Sequence, residues 1–465
     1  MREQPKVVIV GGGISGLSAA WYLGKAGVAS TLVERRPRLG GVIQTDRVDG
    51  CVVEAGPDSF ITIKPAAMEL IQELGLGADL IGSNDHLRIT YIWRRGRLVP
   101  LPDGLMMMVP TRIRPLLSTP LLSWSTKIRM GLEYLRQPST QPRRDRSVAA
   151  FIRDHYGDES LDYLTEPLLS GVYGGDPAQL SADSVLTRFV ELEEKYGSLT
   201  RGVLAGMAKS RANGPQKLPL FRTLKGGLGE LIEELERRIR PSTRVLRGEA
   251  ETVERIGARY RVRVNGEWLD ADHVILACPA YSAAALIGAL DPGLAALLDA
   301  VPYSSSLTLA LGYDKATLGH PLNGFGFLVP SKERNRLVAC TWVANKFSHR
   351  VPDDLVMLRC FFGGANDAAI LEESDESVVR IARQELRRIM RVSAEPVFHH
   401  VSRWPRSMAQ YTVGHGSRLK QIEERVANTP GLHLAGNGYT GIGIPDCVRM
   451  GREAAGRITG RVRAN

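Results

Sequence analysis

The sequence predicts an α/β fold class, and three observations predict it. A strand, a glycine-rich turn and a helix open the chain: Lys6-Val-Val-Ile-Val10, Gly11-Gly-Gly-Ile-Ser-Gly16, then Leu17 to Ala26. A second strand, glycine loop and helix come at the other end: Leu432-His-Leu-Ala-Gly-Asn437, Gly438-Tyr-Thr-Gly-Ile-Gly443, then Asp446 to Ile458. Between them, strand-like runs such as Leu307-Thr-Leu-Ala-Leu311 and Phe325-Gly-Phe-Leu-Val329 alternate with helical stretches at Val148 to Tyr163 and Val185 to Ala208.

The opening segment is a complete βαβ unit. Lys6 to Val10, apolar after its lysine, reads as a buried parallel strand, and Ala29-Ser-Thr-Leu-Val33 as a second one ending in Glu34. Glu34 lies 18 residues after Gly16, close to the spacing of about 20 at which an acid meets the ribose of a dinucleotide. Gly11 supplies the tight turn, Gly13 lets the backbone approach a pyrophosphate, and Gly16 lets the helix pack on the strand, while the helix N-terminus favours the phosphates. Gly12, Ile14 and Ser15 complete the candidate loop. This unit alone leaves open whether the dinucleotide is NAD or FAD.

Composition narrows the class. The 465 residues are 43% hydrophobic, 24% charged and 6% aromatic, which fits a globular protein and excludes a disordered one. Sixty basic against 50 acidic residues give a net charge of +10. The arginines are dispersed rather than gathered into a stripe, which argues against a nucleic-acid partner. The five cysteines (Cys51, Cys278, Cys340, Cys360, Cys447) show no C-x-x-C spacing, so neither a disulfide framework nor a metal site is expected, and a cytoplasmic location fits best. No uncharged apolar run reaches the length of a membrane span.

After the second strand comes Arg35-Arg-Pro-Arg-Leu-Gly-Gly41, continued by Ile43-Gln-Thr45 and Val53-Glu-Ala-Gly-Pro-Asp-Ser59. This run resembles the flavin amine oxidases, in which E-R-x-x-x-x-G-G wraps the flavin's phosphates. Further motifs sharpen the resemblance to the oxygen-dependent protoporphyrinogen and coproporphyrinogen oxidases of haem biosynthesis. They are Ser170-Gly-Val-Tyr-Gly-Gly-Asp-Pro177 with Leu180-Ser181, Leu224-Lys-Gly-Gly-Leu228, Arg403-Trp-Pro405 with Gln410-Tyr-Thr-Val-Gly-His415, and Ala435 through Cys447. The resemblance covers nearly the whole chain.

That resemblance implies FAD as cofactor. It places Gly11, Gly13 and Gly16 at the pyrophosphate, Glu34 at the adenosine ribose, and Arg35, Arg38, Gly40 and Gly41 around the remaining phosphates. Gly56, Pro57, Asp58 and Ser59 belong to the same site. Ala250 to Val253 pass the adenine by backbone. Trp404, Gly436, Asn437, Ile442, Gly443 and Ile444 meet the flavin; Asn437 stands where many relatives carry Asp. The implied fold is a Rossmann-like FAD-binding domain (1–85, 211–285, 401–465), a mixed-sheet substrate domain (86–100, 286–400) and a helical insertion (101–210).

The implied chemistry removes six hydrogens from a porphyrinogen in three two-electron steps. Flavin accepts hydride at N5, O2 reoxidises it and H2O2 leaves, so no catalytic side chain is expected. Thr90, Arg95, Gly171, Gly174, Gly175, Leu328 and Trp342 are the expected substrate contacts, with Arg88, Arg94 and Arg97 further candidates for propionates. Thr90 replaces an arginine found in plant and animal relatives. Pro102-Asp-Gly-Leu-Met-Met-Met-Val-Pro-Thr111 looks more like the Gram-positive, coproporphyrinogen type, which favours coproporphyrinogen III over protoporphyrinogen IX. Leu105 to Val109 and Leu116 to Trp124 read as core packing first and as a peripheral contact with anionic lipid second. The alternatives are an amine or carotenoid oxidase of the same fold and a non-catalytic flavin-binding adaptor.

Overall fold

A computed structural model describes residues 5–139, 144–212 and 218–460. Two sheets organise it. The first has five parallel strands in the order Thr243–Arg247, Ser30–Glu34, Val7–Val10, His273–Leu276, Leu432–Leu434. Val7–Val10 is buried at every position, as a strand covered on both faces must be. The helix after it runs Ile14–Lys25, three residues earlier than its apolar pattern suggested, because Gly13 already serves as its N-cap. The carboxyl ends of these strands all open on one crevice, where ligands of such sheets bind.

The second sheet has seven strands: Phe398–Ala409, Tyr303–Asp314, Leu355–Gly364, Ala339–Trp342, Gly326–Leu328, Thr90–Arg94 and Arg97–Pro100. Only the Gly326–Leu328/Thr90–Arg94 pair is parallel, so the sheet is mixed. Side chains alternate between its faces. Leu307, Leu309, Leu311, Tyr313, Phe327, Leu358, Cys360 and Phe362 form a core with Val378, Ala382 and Leu386 of helix Asp375–Met390. The alternate residues Ser306, Thr308, Leu328, Thr341, Arg359 and Phe361 face the cavity described below. Strand Phe398–Ala409 corrects one expected boundary: residue 400 falls inside it, and the strand stays in the seven-stranded sheet throughout.

Residues 101–210, expected as a helical insertion, are mainly helical. Their helices Val148–Tyr156, Glu166–Tyr173, Thr187–Tyr196 and Leu199–Ala212 surround Phe151, Ile152, Leu164 and Leu199, with Met108, Val109, Leu116, Leu121 and Leu122 in the same core. Buried His155 ties the insertion together, 2.9 Å from Glu133 Oε1 and 3.0 Å from Glu193 Oε1. Among the described residues no helix is long and apolar enough to cross a membrane.

Candidate active site

One cavity of about 1830 Å³ runs from the crevice of the parallel sheet to the seven-stranded sheet. Ordinary single-ligand pockets hold roughly 300–1,000 Å³, so this one has room for two sizeable ligands. At one end, Gly11, Gly13, Ile14, Ser15, Glu34, Arg35, Gly40 and Gly41 line it. Gly16 does not touch the cavity; a β-carbon there would lie 1.9 Å from the Gly11 carbonyl oxygen, so its bareness lets the helix sit on the turn. Gly13 is the opposite case, since a β-carbon would meet nothing within 4 Å. The space over Gly13 is thus kept open for something other than protein.

Glu34 is fixed from two sides: the amide of Gly12 donates to Oε2 at 2.7 Å and that of Arg36 to Oε1 at 2.8 Å. A carboxylate has further lone pairs to offer a ligand hydroxyl. Gly12 therefore acts behind the wall. Arg38 corrects the expectation that it meets phosphate: it is not on the cavity wall, and its guanidinium donates to the carbonyls of Leu39, Gly41 and Ile43 at 3.1, 2.6 and 3.0 Å. It shapes the loop instead. Gly248, Glu249, Ala250 and Glu251 reach the wall, whereas Val253 is fully buried in the core beneath it, on the inward parity of its strand.

At the cavity's waist lie Gly56, Pro57, Asp58, Ser59, Trp404, Gly436, Asn437, Ile442, Gly443 and Ile444. Trp404 is held by its indole N–H donating 2.8 Å to the Ala55 carbonyl. The Asn437 amide donates to the Ser407 carbonyl at 2.9 Å. Tyr411 spans the glycine loop, its hydroxyl donating to the Asn437 carbonyl and accepting from the Gly441 amide, both at 2.8 Å. It also stacks on His415, with ring centroids 4.1 Å apart. Helix Ile444–Thr459 begins at Gly443 with no side-chain cap, as helix Ile14–Lys25 begins at Gly13 with none. The two helices pack closely, since a β-carbon on Gly451 would lie 2.3 Å from the Ser15 carbonyl oxygen. Two uncapped N-termini thus present amides and positive dipole ends to one cavity.

At the far end Thr90, Gly171, Gly174, Gly175 and Leu328, five of the expected substrate contacts, line the cavity. Two expected contacts are corrected. Trp342 sits on the core face of its strand, 5.8 Å from the Tyr91 ring, and its neighbour Thr341 faces the cavity in its place. Arg95 occupies the exposed turn between Thr90–Arg94 and Arg97–Pro100 with φ at +47°. Nor do Arg88, Arg94 and Arg97 reach the wall; Arg94 is buried against Glu159 at 2.6 Å, over the Tyr163 ring.

The charged groups that do line the cavity come from scattered segments. Lys64 and Asp446 pair at 2.7 Å, Arg334 pairs at 2.9 Å with Glu166, which lies behind the wall, and Lys346 donates to both Asp58 oxygens at 2.9 and 2.7 Å. Burial raises the Asp58 pKa, but Lys346 and the buried Arg359 outweigh it and hold the carboxyl well below its ordinary range. Burial pushes the Cys278 thiol up to about 12, so it stays protonated at neutral pH. Sequence reasoning assigned no role to Lys64, Lys346, Arg359, Tyr411 or Asp446; each gains its place from a partner far away in the chain.

These residues fit a bound dinucleotide. The open space over Gly13, the two uncapped helix ends and the fixed acid Glu34 supply its cradle, and the Tyr439 hydroxyl and His415 Nδ1 are buried without a hydrogen-bond partner among the described residues. The family described as flavin containing amine oxidoreductase matches residues 14–459. Coproporphyrinogen III oxidase of Bacillus subtilis (strain 168) is 37% identical, covering 96% of each chain. The enzyme of the same name from Staphylococcus aureus is 32% identical, over 97% of this chain and 98% of its own. A crystal structure from Exiguobacterium sp. 255-15, assigned as a protoporphyrinogen oxidase, superposes with a TM-score of 0.87 at 32% identity, over 99% of this chain and 100% of that one. The chain belongs to the flavin containing amine oxidoreductase family, and its cofactor is FAD.

Proposed function

We propose that the protein is an FAD-dependent oxidase that converts coproporphyrinogen III to coproporphyrin III, with O2 as acceptor and H2O2 as second product. The observation that carries this reading is the continuity of one cavity from the dinucleotide cradle to the Leu328–Phe361 face of the mixed sheet. FAD bound there would supply two-electron redox chemistry: two hydrogens leave the substrate per turn as two electrons and two protons, which reduce one O2 to one H2O2, so three turns would remove six hydrogens. The chain's part is to hold and to exclude. Gly171, Gly174 and Gly175 offer backbone to the macrocycle, Leu328 and Phe361 offer apolar surface, and Tyr411 and Trp404 fix the waist where cofactor and substrate meet. The relatives' names support the tetracarboxylate as substrate.

The purified protein tests this when coproporphyrinogen III and protoporphyrinogen IX are followed side by side under air by porphyrin fluorescence. Faster oxidation of the tetracarboxylate is expected. Preference for the dicarboxylate overturns the substrate assignment, and no porphyrin from either overturns the function.

A peripheral membrane contact is supported by a separate observation. Trp124, Ile128 and Leu132 recur every four residues on helix Trp124–Leu132 and are 64%, 60% and 61% exposed, next to exposed Leu135 and Ile113. Arg112, Arg114 and Arg129 flank them, a pattern suited to anionic lipid on the cytoplasmic side. Sedimentation with anionic vesicles, lost in Trp124→Glu, is the expected result; equal sedimentation of both proteins overturns it.

A further inference from the structure

The structure takes Arg88, Arg94, Arg95 and Arg97 away from the cavity and leaves open which cation meets the substrate's carboxylates. Most cations that do line it are already committed. Lys64 is paired with Asp446, Arg334 with Glu166 and Lys346 with Asp58. Arg359 donates to the Gly56 carbonyl beside Asp58. A substrate carboxylate recruiting one of these must displace a protein carboxylate or carbonyl, which cancels most of the gain. Arg35 and Arg36 flank Glu34 in the dinucleotide cradle, and Arg406 lies 3.8 Å over the Tyr281 ring.

Arg188 stands outside the dinucleotide cradle and is not committed in this way. It stands in the first turn of helix Thr187–Tyr196, within the run 184–189 that joins residues 168–175 in forming the insertion's part of the cavity wall. It is exposed, and it has no hydrogen-bond, ion-pair or ring partner among the described residues. A terminal nitrogen of its guanidinium lies near Gly206 of the next helix, 3.8 Å from where a β-carbon would stand, an ordinary contact distance that leaves the group uncrowded. We propose that Arg188 is a specificity-determining residue that recognises a substrate carboxylate at the cavity mouth. This deepens the porphyrinogen reading above and rests on it. A guanidinium matches a carboxylate with two parallel N–H donors, and here no competing acid has to be displaced. Its exposed position suits a propionate at the macrocycle's edge, whose other oxygen stays in water.

The test compares wild-type holoenzyme with Arg188→Gln and Arg188→Lys. The readouts are the Kd for coproporphyrin III, the Kd for its tetramethyl ester, and KM and kcat for coproporphyrinogen III. Arg188→Gln is expected to weaken the acid about tenfold at low salt, the loss of one charge-assisted contact. The ester's Kd should hardly move, KM should rise far more than kcat falls, and Arg188→Lys should recover most of the loss. The difference between wild type and Arg188→Gln should shrink as salt rises, because the site is open to solvent. An Arg188→Gln protein with wild-type Kd and KM overturns the proposal, as does an equal loss for acid and ester. A wild-type protein that neither binds nor oxidises the tetracarboxylate overturns the coproporphyrinogen reading and this proposal with it; the wild-type control separates the two failures.

Discussion

Gly13 and Gly16 belong to one motif, yet replacing them should damage the protein in opposite ways. Gly13 has φ −71° and ψ 179°, a conformation open to valine, and a β-carbon there meets no heavy atom within 4 Å. Gly13→Val should therefore change the stability of the cofactor-free protein by no more than about 0.5 kcal/mol. The same side chain fills the space reserved for the pyrophosphate. Pushing the phosphates off the helix end removes on the order of two charge-assisted hydrogen bonds at roughly 1.5–3 kcal/mol each. Flavin affinity should then fall by about two to four orders of magnitude. At Gly16 a β-carbon would lie 1.9 Å from the Gly11 carbonyl oxygen and 3.3 Å from the Ala277 side chain. Gly16→Val should cost several kcal/mol, roughly 3 or more, whether or not FAD is present. Flavin absorbance after purification, and Tm before and after adding FAD, separate the two outcomes. A Gly13→Val protein that keeps stoichiometric FAD refutes the reading of the cradle, and one that fails to fold without cofactor refutes the claim that the space is free.

Tyr411→Phe removes both bonds that span the glycine loop, and should lower stability or flavin affinity by about 1–3 kcal/mol in total, read as Tm and FAD Kd. Arg94→Ala removes the ion-pair partner of Glu159, which keeps its bonds from Ser123, and should destabilise the insertion by about 2 kcal/mol, whereas Arg95→Ala should leave both Tm and KM unchanged, since Arg95 is exposed in a turn. Burial, with His273 and Arg457 beside it, lowers the His433 pKa to about 4. The unfolded chain takes up this proton near pH 6.5 and the folded chain does not, so stability should fall as pH drops from about 6.5 to about 4. His433→Gln should flatten that slope in urea titrations. Burial raises the Glu193 pKa, but His155 and Arg146 hold it at about 2. Its contribution, present above the ordinary carboxylate pKa of about 4.3, should be lost as pH falls from there towards 2.

What was legible in the sequence was local. Strand Val7–Val10, its glycine turn, the helix and Glu34 interact within one βαβ unit, so spacing alone located them. The C-terminal loop was legible for the same reason. Trp342 was misplaced because the face of a strand residue depends on register with distant strands, here Cys340 opposite Cys360 and Phe327. One residue of parity moves a side chain from cavity to core. Arg95 carried a readable warning, since the Arg95-Gly96 pair is a turn signal between two short apolar runs. Lys64 and Asp446 carried none: 382 positions separate them, and neither has a local pattern that names the other. Arg38 looked like a phosphate ligand because its charge was visible and the three carbonyls that claim it were not.

The interleaving of the parallel sheet has a consequence for how the protein comes into being. Its first strand, Val7–Val10, leaves the ribosome early, but its partner His273–Leu276 follows hundreds of residues later and the edge strand Leu432–Leu434 later still. At about 5–20 residues per second, the two halves of the cradle are separated by tens of seconds of synthesis. The glycine turn at Gly11–Gly16 must therefore wait, unable to close on cofactor, until Ile442–Ile444 arrive to complete the opposite wall. Cofactor capture is thus coupled to the end of translation, and a nascent chain halted before Leu432 should hold no flavin.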